Sequence, residues 1–190
     1  MKFQIGDMVD VQLCKALKHE FLRCQEAFEE FAIKSKIMFV RNDGDRRTAY
    51  SCYNAYVRFI HHLYEFEMGA VIRDRLDTGN IAHTLADKYI LSEMHRILRN
   101  RREAIIDGSA PDWENDLSYY PSQPPSDFAE KFRKIRNKSS GHVSYERPKM
   151  NITDFYRDYH KFVYLMYFEA RSWWGRQFDV FPDLDEITAF

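Results

Sequence analysis

The sequence predicts an all-α protein, an up-and-down bundle of about five helices with one long proline-rich loop. Apolar residues recur at spacings of three and four over five separate stretches, which puts them on one face of a helix each time. No stretch alternates apolar and polar residues cleanly, as a half-buried strand does. Four of the six prolines crowd into positions 111–125, where no periodicity runs. A chain of 190 residues forms one domain and buries a core without cross-links. Twelve Tyr and fifteen Phe predict a largely aromatic core with phenol hydroxyls reaching its edge.

The first helix is expected over residues 9–40. Leu13, Leu17, Phe21, Cys24, Phe28 and Phe31 share one face there, and Lys15, Lys18, Glu26, Glu29 and Glu30 fall mostly elsewhere. Asn42-Asp43-Gly44-Asp45 breaks it, and Asp45 is placed to cap a second helix over residues 46–76. Tyr53, Tyr56, Ile60, Leu63 and Ala70 form that helix's inner stripe. Glu67 falls on the same stripe, and an ionised carboxylate is rarely buried without a partner. Glu67, or its neighbour Glu65, is therefore expected to face a cationic site. His61-His62 with Glu65 offers a His–carboxylate pair one turn apart, but two ligands do not make a metal site. No H-E-x-x-H or E-x-x-H occurs, so packed or solvated histidines are the plainer reading and no cofactor is expected.

Asp77-Thr78-Gly79-Asn80 reads as a turn, with Asn80 as N-cap of a third helix over residues 81–106. Ala82, Ala86, Tyr89, Ile90, Ile97, Leu98 and Ile105 supply its apolar side. Arg96, Arg99, Arg101 and Arg102 near its end either complement the helix dipole or form a phosphate track. Residues 108–126 form the long loop. Its Trp113, Tyr119 and Tyr120 either stack on unpaired bases or pin the loop to the body. Ser126 is the expected cap of a fourth helix that stops near Gly141. Phe128, Phe132 and Ile135 mark its buried side, with Arg133, Arg136 and Ser140 on a neighbouring face. A last helix over residues 152–174 carries Phe155, Tyr159, Phe162, Met166 and Trp173. The domain is taken as residues 1–176. Residues 177–190 hold four acids and no base, an acidic tail that packs on a basic surface, frays, or covers the basic motif.

Cys14, Cys24 and Cys52 are odd in number and widely spaced, which reads as reduced thiols of a cytoplasmic protein. Acidic residues interrupt the opening residues before any apolar run forms, so no leader or membrane span is expected. The net charge of −1 means that a nucleic-acid site must be a local patch. Residues 131–149 provide one, with seven Lys or Arg against the single acid Glu146.

Inside that patch lies Arg136-Asn137-Lys138-Ser139-Ser140-Gly141-His142. It places a permanent cation, an amide and a titratable imidazole within one short stretch. A guanidinium can grip a phosphate through two parallel N–H bonds. An imidazole can take or give a proton near neutrality. Cutting a phosphodiester without a metal needs both functions.

This stretch resembles the signature of the HEPN superfamily, an Arg and a His four to six residues apart, often with Asn directly after the Arg; here the gap is five. The resemblance implies a small helical domain and a metal-independent endoribonuclease, in many cases a toxin or a phage-defence component. It implies that His142 acts as general base or acid around the ribose 2′-OH. Arg136 orients the scissile phosphate and stabilises the phosphorane, and Asn137 holds the geometry. Arg133, Lys134, Lys138 and Arg147 are expected to contact RNA. The product implied is a 2′,3′-cyclic phosphate. A homodimer with a composite site is implied, and an antitoxin or defence partner protein is possible. The alternative is a catalytically inert helical module that binds RNA or protein through the same patch. Plainer still is a basic helix end with a surface histidine. The imidazole separates these readings, because binding alone does not need it.

Overall fold

A computed structural model describes residues 1–41, 45–141 and 151–174 of the chain. Five α-helices and two short 3-10 turns account for most of them: α1 (Met8–Arg41), α2 (Arg46–Arg75), α3 (His83–Ile106), the turns Asp112–Glu114 and Leu117–Tyr119, α4 (Phe128–Arg136) and α5 (Ile152–Trp174). The fold is the all-α bundle that the spacing predicts. Among the described residues no helix is long and apolar enough to cross a membrane.

Helices α1 and α2 form a long antiparallel hairpin. Arg73 meets Asp10 at one end, His62 meets Glu20 in the middle, and Phe31 packs on Tyr56 at the other end. Leu17 packs so closely on Gly69 that a Cβ there would stand 2.6 Å from its Cδ2, so the helices cross at a residue without a side chain. Asp45 caps α2, accepting from the backbone N–H of Arg47 and Thr48. Helix α2 ends at Leu76, whose φ of +52° is unusual for a side chain branched beyond Cβ. The strand-like pairing that follows secures it: Phe3 N–H donates to Leu76 C=O (3.1 Å) and Thr78 N–H to Met1 C=O (2.9 Å).

Helices α3 and α5 continue the alternation, and α5 is the central one. Tyr164 and Tyr167 of α5 meet Phe28 of α1, Tyr167 meets Phe59 of α2, and Phe162 meets Phe128 of α4. Being packed from several sides, α5 buries Val163, Leu165, Tyr167 and Ala170 as well as Phe155, Phe162 and Met166. Trp173, expected inside, stands 67% exposed. The next residue, Trp174, is the one that packs, edge-on to Phe66.

Two caps differ from expectation. Helix α3 starts at His83 after Ala82, not at Asn80, and Leu85 N–H bonds to the Ala82 carbonyl. Helix α4 follows Asp127, not Ser126, and Phe128 N–H is satisfied by the Pro125 carbonyl. Backbone carbonyls do at both starts what a polar side chain was expected to do. The long loop is pinned rather than open: Tyr120 is buried, donates its hydroxyl to Glu114 (2.7 Å), and its carbonyl accepts from Arg102 (2.6 Å). Trp113 remains exposed, and Tyr119 carries the Lys161 ammonium over its ring at 4.2 Å. Cys24 is buried, Cys14 and Cys52 are half-buried, and all three are free thiols.

Candidate functional site

Helix α4 is short and amphipathic. Phe128, Ala129, Phe132 and Ile135 are buried, which turns the alternating polar positions Arg133 and Arg136 toward α2 and α3. Beyond Arg136 the backbone widens into a π turn, Asn137–Gly141, a distortion that often marks functional positions in helices. Buried Ser139 anchors it by donating to the Ile135 carbonyl.

Arg136 is half-buried at this junction. One arm of its guanidinium donates to Asn137 Oδ1 (2.7 Å), and the other to Glu65 on α2. Its flat face lies over the Tyr64 ring, 5.6 Å from the centroid, and Tyr64 in turn stands edge-on to Phe132. Its Nε is buried and has no hydrogen-bond partner among the described residues. Stacking and two hydrogen bonds fix the plane of the guanidinium.

Two clefts meet at this pair, because Glu65 and Arg136 line both. One, of about 330 Å³, is also lined by Glu20, Arg23, His61 and His62. The other, of about 370 Å³, is also lined by Tyr64, His83, Arg133 and Asn137. In the first cleft His62 Nδ1 lies 2.7 Å from Glu20 Oε1, so the ring nitrogen donates and the carboxylate fixes the tautomer. Burial raises the Glu20 carboxyl, but the His62 hydrogen bond and nearby cations outweigh it and leave the group below its ordinary value. His61 is pushed below the ordinary imidazole value, first by burial and then by its neighbours His62 and Arg136. Its Nδ1 is buried and has no partner among the described residues.

The sequence-expected residues divide accordingly. Arg136 and Asn137 are brought together. Arg133 faces the same side but is already engaged, with its fork bound in parallel to both oxygens of Asp87 at 2.8 Å each. Lys134 pairs with Glu130 one turn back on the surface. Lys138 is half-buried in the π turn. His142 and Arg147 lie outside the described residues, as does the acidic stretch 177–190. Of the two acids expected near a cation, Glu65 reaches one and Glu67 does not. Glu20 and Asp87 complete the surroundings of the motif. Neither stands out in the sequence, since each is an ordinary helix-surface acid until the bundle folds it against a cation.

No basic residue lies in the last turn of α3, so its arginines do not complement the helix dipole there. Arg96 binds Glu93 and Glu169, Arg101 binds Glu114 and Glu169, and Arg102 holds the loop. These three cations lock α3 to α5 and to the loop, whereas exposed Arg99 pairs with Glu103 of its own helix at 4.0 Å. Among the described residues no group of three or more His, Cys, Asp or Glu side chains is arranged to hold a metal ion. Comparison with protein-family models, with curated proteins and with solved structures gives no match.

Proposed function

We propose that the protein is an endoribonuclease of HEPN type, a toxin or phage-defence component that cuts RNA without a metal and acts as a homodimer in the cytoplasm. The observation that supports this best is the state of Arg136. It is oriented by Glu65, Asn137 and the Tyr64 ring, and it borders two clefts. A guanidinium fixed in advance stabilises charge on a phosphorane without reorganising during the reaction.

In this reading the ribose 2′-OH attacks the adjacent phosphorus as His142 removes its proton. Negative charge gathers on the non-bridging oxygens, where the Arg136 guanidinium stabilises it. The 5′-oxygen leaves with a proton, and the other product ends in a 2′,3′-cyclic phosphate. Glu65 and Asn137 hold the guanidinium plane. Lys134, Lys138 and Arg147 contribute attraction for the backbone, and Arg133 contributes through its field while its fork stays on Asp87.

The test is incubation of the pure protein with RNA in EDTA, reading both cleavage and end-group chemistry. Cyclic phosphate ends are expected. His142→Ala should abolish cleavage and leave RNA binding within about threefold, because a single imidazole adds little to a charge-driven affinity. Cleavage that survives in His142→Ala, or binding that collapses with it, removes the catalytic assignment. RNA binding without cleavage by the unmodified protein leaves the inert module in its place.

A further inference from the structure

On another part of the bundle, α2, α3 and α5 enclose a cavity of about 500 Å³ that shares no lining residue with the Arg136 clefts. Phe66, Glu67, Tyr89, Glu93, Trp173 and Trp174 are among its walls. The size lies within the range of small-molecule sites. Glu67 lines it with only 9% of its surface exposed, and it makes no hydrogen bond or ion pair among the described residues. A buried carboxyl without a donor is costly, so a fold keeps one where something else is to meet it.

The lining charges say what that is. Four carboxylates, Glu67, Asp74, Glu93 and Glu169, face one guanidinium, Arg96. Arg96 is already committed to Glu93 through two contacts of 2.9 and 2.5 Å, and to Glu169 at 3.4 Å. An anion is repelled here, and a neutral guest can answer Glu67 only in its protonated form. The aromatic walls favour a cation with a flat or apolar body. Trp174 stands edge-on to Phe66 at 5.6 Å, and the exposed Trp173 donates toward Glu169. Aromatic faces beside buried acids are how proteins hold amines.

We propose that this cavity binds a small organic cation, a protonated amine or amidine on an aromatic or apolar body, with Glu67 as its charge partner. Binding then requires Glu67 to ionise. Burial first, then Glu93 and Glu169 against the relief of Arg96, holds its carboxyl up at about 8. The groups facing it are the Cys24 thiol of α1, Glu93 and Arg96 of α3 and Glu169 of α5, with Asp74 on its own helix. Burial keeps the thiol protonated. Uptake of the cation below pH 8 therefore releases a proton, and affinity rises with pH.

The experiment is calorimetric titration of the full chain with phenethylamine, with phenylethanol and phenylacetate as neutral and anionic counterparts. The amine alone is expected to bind, at one site, with affinity rising about tenfold per pH unit between pH 6 and 7, the dependence of a single linked proton. Glu67→Gln should cost at least about tenfold at pH 8 and flatten the pH dependence, as loss of a charge partner in a buried site does. Trp173→Ala, at an exposed position that cannot unfold the core, should weaken the amine several-fold and keep its pH dependence. The proposal is overturned if phenethylamine does not bind, if phenylethanol binds as well, or if Glu67→Gln keeps the affinity. Should Glu67→Gln fail to fold, Trp173→Ala decides: unchanged amine affinity overturns the site.

Discussion

Two residues make stability depend on pH in opposite senses. Glu67 keeps its proton up to about 8 in the folded state, whereas an unfolded glutamate loses it near 4.3. Between those values the native state binds more protons than the unfolded one, so stability falls as pH rises. His160 is the reverse. Burial lowers its imidazole to about 4, below the unfolded value near 6.5, so stability rises with pH across that interval. From about pH 4.5 to 6.5 the two slopes cancel. Above 6.5 the histidine is neutral in both states and Glu67 acts alone. His61, also depressed by burial, adds a rise toward pH 6.5. The urea midpoint should therefore not fall between about pH 4.5 and 6.5 and should then drop, by about 1–2 kcal/mol of stability by pH 8. Glu67→Gln should remove the drop. A wild-type profile flat from pH 6.5 to 8 contradicts the buried, protonated carboxyl.

The element scale separates cations that build the bundle from cations that only decorate it. Arg133 joins α4 to α3 through a bidentate pair with Asp87, and neither side chain is more than about a fifth exposed (16% and 20%). Arg133→Ala strands a half-buried carboxylate and should cost about 1–3 kcal/mol in chemical denaturation, with Arg133→Lys recovering only part because an ammonium cannot match the fork. Lys134→Ala removes an exposed one-turn pair with Glu130 and should change stability by less than about 0.5 kcal/mol. Equal losses in the two variants mean that α4 is not held by the Asp87 contact. The same distinction explains what the sequence could disclose. Phe128, Phe132 and Ile135 announce the buried face of α4 by spacing alone. Nothing local tells Arg133 from Lys134, because their partners are set by which helices become neighbours. Likewise Asn80 and Ser126 have cap chemistry, yet the caps fall two residues later at Ala82 and one residue later at Asp127. The inner stripe of α2 was legible, Glu67 included. That Glu65 pairs with Arg136 required the docking of α4, 71 positions further on.

At the scale of the whole molecule the question is where one complete site comes from. Arg136 sits at the end of α4, one π turn before His142, and a two-fold assembly brings such an end against its own copy. If each site takes its arginine from one protomer and its histidine from the other, two dead variants can rescue each other. Arg136→Ala and His142→Ala homodimers each lack a necessary group at both sites. In a mixed dimer one site collects both defects and the other neither. Random exchange at equal concentrations makes about half of the dimers mixed, each with one live site of two, so the mixture should recover about a quarter of wild-type cleavage. Recovery should grow as subunits exchange after mixing and should vanish if the dimers are cross-linked beforehand. Light scattering on the same samples should report a dimer throughout. A dimer whose mixed variants stay inactive after complete exchange means that each site draws both groups from a single chain, and a monomer that cuts RNA removes the composite site altogether.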